Sequence, residues 1–139
     1  MLRTGRSVYP CVLGRSGISV RKREGDGATP IGRWRFGTLF WRPDRRGIPQ
    51  SALTSKPLRP DMGWCDTAPD RNYNRLVKRP YPASHEEMWR KDGLYDVVIT
   101  LSHNTCPRIA GHGSAIFFHL ASEDMKPTAG CIAVRVCDV

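Results

Sequence analysis

A chain of 139 residues with 40% hydrophobic and 25% charged side chains is long enough for one domain with a real core and too short for two. Its net charge of +9, from 22 basic and 13 acidic residues, suits an anionic partner such as a nucleic acid, a membrane surface or an acidic polymer, or else a solvated surface tuned for solubility. Thirteen glycines and eleven prolines favour turns and short strands over long helices, so an all-β or β-rich fold is expected.

In chain order, residues 7–13 and 18–21 read as a β-hairpin around the glycine-flanked turn Gly14-Arg-Ser-Gly17. Residues 22–26 lead into a turn over 25–32, where Pro30 forbids a central strand. Residues 34–41 form a strand with Trp34, Phe36 and Thr38 on one face. A turn at 43–47 and a short, proline-interrupted strand within 51–62 follow. Residues 63–74 are polar, aromatic and irregular, a loop composition that often presents binding groups, although Asp66 and Asp70 could simply hold turns. Ser84 and Glu87 have capping-box spacing, which predicts one short helix to about Lys91 with Met88 and Trp89 as packing residues and His85 exposed. The run 95–102 is nearly continuous in apolar and β-branched residues and reads as a central strand. A long loop, 103–113, leads to a last apolar strand, with His112 in that loop expected in solvent.

That last strand carries the chemistry. In Gly113-Ser-Ala-Ile-Phe-Phe-His119, alternation places Ala115, Phe117 and His119 on one face, with His119 the least buried of the row. Twelve positions later, after Pro127-Thr-Ala-Gly, comes Cys131. A free thiol has a pKa of about 8.5, so a nucleophilic cysteine needs an imidazole to take its proton. Gly130 lets the backbone turn sharply, and the amides of Gly130 and Cys131 could form an oxyanion hole. The competing reading of each residue alone is a buried small hydrophobe and a structural histidine.

His119 with Thr128-Ala-Gly-Cys131-Ile resembles the signature of L,D-transpeptidases with a YkuD-type catalytic domain, and Thr29-Pro-Ile-Gly32 resembles that domain's early Thr-Pro-x-Gly turn. The resemblance runs from about residue 8 to the end. It implies a mostly antiparallel β-sandwich over 1–139 as a single catalytic domain, shortened at its C-terminus relative to the family pattern. It also implies a reaction. Cys131 attacks a carbonyl of a peptidoglycan stem peptide with His119 as base, and a diaminopimelate amine of a second stem resolves the thioester. The donor is the third or first stem position, the Thr-Ala-Gly-Cys variant leaning towards the first; resolution by water would make the protein an L,D-carboxypeptidase. Trp64, Asp66, Tyr73, Asn74 and Arg75, with Gly113, Ser114, Thr128 and Ala129, are the expected substrate contacts. The substrate implies a periplasmic or wall-facing location, although no secretion signal follows the basic first residues.

Two departures stand out. Ala129 replaces the motif's usual histidine, so a backbone carbonyl or a loop side chain, Ser114 or Asn104, is expected to orient His119. The spacer between His119 and Thr128 is also short. No cofactor is expected, and His103, Cys106, His112 and His119 lack the spacing of a zinc site. Five irregularly spaced cysteines predict no disulfide framework and at least one free thiol. No run can span a bilayer, and a monomer is expected. The rivals are a non-catalytic wall-binding module and, from the charge and four tryptophans, a nucleic-acid-binding domain, which lacks any recognised motif.

Overall fold

The β-branched run Val97-Val-Ile-Thr-Leu101 becomes the middle strand of the largest sheet, as its composition predicts. The structure is a computed structural model that describes residues 1–138. Its strands are β1 (Leu2–Thr4), β2 (Ser7–Tyr9), β3 (Ile18–Ser19), β4 (Thr29–Pro30), β5 (Phe36–Trp41), β6 (Ser55–Pro57), β7 (Met62–Cys65), β8 (Leu76–Lys78), β9 (His85–Glu87), β10 (Val97–Leu101), β11 (Phe117–Leu120) and β12 (Ile132–Val134). The one helical element among the described residues is a 3-10 turn over Val136–Asp138.

Five strands form a sheet in the order β12-β11-β10-β5-β6, and three more form a second sheet, β8-β7-β9. Strand pairing is mostly antiparallel, but β11/β12, β5/β6 and β3/β4 run parallel. Side-chain alternation divides the large sheet into two apolar faces. One face, with Leu39, Trp41, Val97, Ile99, Phe118 and Val134, is covered by N-terminal residues such as Leu2, Cys11 and Leu13. The other, with Phe40, Val98, Ala115, Phe117 and Cys131, packs on Met62 and Met88 from the small sheet's side. This second layer is the sandwich interior, and the cysteine belongs to it.

Three local expectations are corrected. The hairpin of 7–13 with 18–21 does not form. Its Gly14 turn closes, with Gly17 N–H donating to Gly14 O at 2.8 Å, but the arms diverge. Ser7–Tyr9 pairs with Leu2–Thr4, Ile18–Ser19 pairs with Thr29–Pro30, and Val12 and Gly14 bridge to Ala133 and Thr128. The helix from Ser84 is instead strand β9, paired with β7 through Gly63↔Glu87, Trp64↔Glu86 and Cys65↔His85. A capping box contributes about 1 kcal/mol locally, less than completing a sheet and burying Met88, which is fully enclosed. The stretch after Met62 is correspondingly a strand before it becomes a loop. Only from Asp66 onward is it irregular, with Asn72 N–H donating to Asp70 Oδ1 at 2.7 Å as an Asx turn.

Candidate functional site

Parallel pairing of β11 with β12 sets His119 opposite Ala133. Continued back two residues, that register brings Cys131 opposite Phe117, where Phe117 N–H approaches the sulfur at 3.4 Å. Cys131 and His119 therefore share one face of two adjacent strands as diagonal neighbours. The thiol donates to Ala115 O at 3.1 Å. His119 Nδ1 bonds the carbonyl of Leu120 at 2.7 Å, so the neutral tautomer carries its proton there and leaves Nε2 as the acceptor. A backbone carbonyl thus orients the ring. Neither Ser114 nor Asn104 does so, the latter being committed to Ile109 and Gly113.

The turn before Cys131 is built tightly. Thr128 Oγ1 donates to Cys131 O at 2.7 Å and accepts from Gly130 N–H at 3.1 Å. Gly130 has φ of +141°, and a Cβ there would lie 2.9 Å from Ala28 O. The 25–32 turn supports it from below, as Thr29 Oγ1 accepts from Gly14 N–H at 2.8 Å and reaches Cys131 O at 3.4 Å. One of the two amides expected to hold an oxyanion, that of Gly130, is therefore already engaged.

Both side chains are enclosed. His119 is only 5% exposed, which corrects the expectation that it forms the wet end of its row. Burial depresses its pKa to about 4, despite the Leu120 carbonyl. Burial first, and then the negative charge of Glu86, raises the Cys131 thiol to about 12, opposed by Phe117 N–H and the Tyr95 hydroxyl. At neutral pH the pair is thus thiol and imidazole, without a standing thiolate–imidazolium pair.

A cleft of about 450 Å³ opens onto these groups. Of the expected contacts, Asp66, Ser114, Thr128 and Ala129 line it; Trp64, Tyr73, Asn74, Arg75 and Gly113 do not. Asn74 is instead a buried scaffold. Its Oδ1 accepts from Trp64 Nε1 (2.9 Å) and Ala115 N–H (3.1 Å), and its Nδ2 donates to Asn104 O (2.8 Å). Tyr73 is buried and donates to Glu24, and Arg75 lies exposed on the surface.

Sequence reasoning missed Glu86, Arg90 and Tyr95, which line the same cleft. The Tyr95 ring meets His119 edge-on at 5.2 Å, its hydroxyl donates to Glu86, and Arg90 lies 5.0 Å from its ring centre. Burial raises the Glu86 carboxyl, and the Tyr95 hydroxyl only partly offsets it. A helix at 84–91 would have sent Glu86 elsewhere, so no local signal marked it. Among the described residues no group of three side chains could hold a metal ion.

A family model described as the L,D-transpeptidase catalytic domain, YkuD, matches residues 2–139. The chain belongs to this family. L,D-transpeptidase catalytic domains act on peptidoglycan, and the nearly all-β sandwich with the cysteine turn at its edge is the expected architecture. Neither the comparison with curated proteins nor that with solved structures finds a match. Where the L,D-transpeptidase pattern has a histidine before Gly130, this chain exposes Ala129 at the cleft.

Proposed function

We propose that this L,D-transpeptidase domain cross-links peptidoglycan stem peptides through a thioester on Cys131. The observation that carries the reading is the shared face of Cys131 and His119 at the bottom of a cleft in a chain of this family. Cys131 Sγ attacks the donor carbonyl as its proton passes to His119 Nε2. A neutral pair suits this, because general-base transfer in step with attack needs an uncharged imidazole. Charge builds on the carbonyl oxygen beside the Cys131 amide. The C–N bond then breaks, the leaving amine takes the proton from His119, and the acyl group remains on sulfur. An acceptor amine attacks the thioester and gives a proton to His119; the C–S bond breaks as the new amide bond forms, and His119 returns the proton to the departing Cys131 sulfur.

The lining fits such a peptide. Arg15 and Lys126 offer cations to its carboxylates, and Asp66 offers an anion to its amines, a mixed set that matches a diaminopimelate side chain. The Tyr95 hydroxyl, held by Glu86, stands beside the sulfur and takes the shaping role left vacant by Ala129. The substrate places the working domain, read as one unit over 1–139, on the wall side of the membrane, in the periplasm where one exists.

The test is incubation of the protein with defined muropeptides, wild type against Cys131→Ala, read by mass spectrometry. New dimers absent in the variant are expected, and fragmentation then assigns the donor position. Tetrapeptide trimmed without dimers would make the protein a carboxypeptidase. No reaction by reduced wild-type protein would leave a non-catalytic wall-binding module.

A further inference from the structure

Ile18, Val20 and Ile31 are 59, 82 and 53% exposed. They belong to one small tip. Pairing of β3 with β4 runs Ile18↔Thr29 and Ser19↔Pro30, and Ile31 N–H continues it by donating to Ser19 O at 3.0 Å, which sets Val20 beside Ile31. Scattered exposed aliphatics are ordinary, but three gathered on one two-strand tip leave more than half of each side chain in water and mark a contact surface.

The tip is ringed by cations. Arg21 follows Val20, Arg23 lies two residues further, and Arg33 stands two beyond Ile31; all three are exposed. The acidic residues of the same segment are turned to internal partners. Asp26 takes Lys22 and the amides of Arg23 (2.8 Å) and Ala28 (2.9 Å), and Glu24 accepts from Tyr73. Among the described residues Arg21, Arg23 and Arg33 enter no ion pair with a carboxylate. Their charge is left for something outside the molecule.

We infer that this tip docks on an anionic phospholipid bilayer, with Ile18, Val20 and Ile31 entering the boundary between headgroups and acyl chains and the arginines taking lipid phosphates. A soluble polyanion would satisfy the arginines and leave the aliphatics wet, whereas a bilayer satisfies both at once. The tip is joined to the cysteine turn, since β4 supplies Thr29 to Cys131 O and Ala28 lies against Gly130. Docking therefore fixes the cleft close to the membrane surface. The inference stands on surface residues alone and does not depend on the chemistry proposed for Cys131.

The experiment is co-sedimentation of the full chain with vesicles of phosphatidylcholine, alone or mixed with phosphatidylglycerol, across a salt series. Binding only to the mixed vesicles, weakening with salt, is expected. Each arginine near an anionic surface strengthens binding about five-fold, so Arg21→Gln with Arg33→Gln should weaken it roughly thirty-fold at low salt. Val20→Ser with Ile31→Ser, at unchanged charge, should weaken it about ten-fold. Circular dichroism checks that each variant is folded, and Val20→Ser alone, at the most exposed of the three sites, serves if a double variant is not. No binding to mixed vesicles at low salt would overturn the proposal. So would aliphatic variants that bind like wild type, which would make the tip a site for soluble polyanions.

Discussion

Burying His119 uncharged couples stability to pH. Its pKa falls from 6.5 to about 4 on folding, so the unfolded chain binds a proton between those values that the native protein refuses. Where the unfolded state holds more protons, stability rises with pH. The imidazole therefore costs nothing above about pH 6.5, becomes progressively destabilising as pH falls towards 4, and adds no further penalty below it. At about 1.36 kcal/mol per pH unit the full effect is about 3 kcal/mol. Glu86 works in the opposite direction, because burial raises its carboxyl, so the total acid profile is a blend. Tyr95 also meets the ring, and the charges of Arg90 and Asp92 lie within its field. The comparison that isolates His119 is wild type against His119→Gln, which keeps a donor for the Leu120 carbonyl. Urea unfolding of both at pH 7, 6, 5 and 4 should show wild type losing about 3 kcal/mol relative to the variant across the series. Two parallel profiles would refute the buried, uncharged imidazole, and with it general-base transfer from a neutral thiol.

Two further substitutions probe the site. Tyr95→Phe removes the hydroxyl that bridges Glu86 towards the thiol, and should lower cross-linking turnover about ten-fold while destabilising the fold by about 1–3 kcal/mol for the donor lost to Glu86; turnover like wild type in a folded variant would remove Tyr95 from the proposed machinery. Gly130→Ala forces a Cβ to within 2.9 Å of Ala28 O at φ of +141°, and should cost at least about 1–3 kcal/mol in thermal unfolding and slow alkylation of Cys131. An unchanged melting curve would mean the turn is looser than its geometry states.

The candidate cysteine and histidine were legible because they are close in sequence and follow local rules. Alternation alone assigned Ala115, Phe117 and His119 to one face, and the apolar run at 95–102 announced the middle strand, since a strand buried on both sides must be apolar throughout. The turn before Cys131 needed a glycine, and one is there. What the residues could not state is which segments meet. A capping box at Ser84 is worth about 1 kcal/mol locally, too little to hold against the pairing of β9 with β7, and the turn at Gly14 closes without keeping its arms together, because Val12 pairs with Ala133 instead. Those non-local choices brought Glu86 to Tyr95 and set Tyr95 against His119, buried the imidazole, and turned Asn74 from an expected contact into a scaffold. Sequence by itself determined the β character of the chain and singled out Cys131 and His119 as the proposed nucleophile and base. Tertiary structure decided their protonation, because desolvation is a property of the assembled core and is written in no single segment.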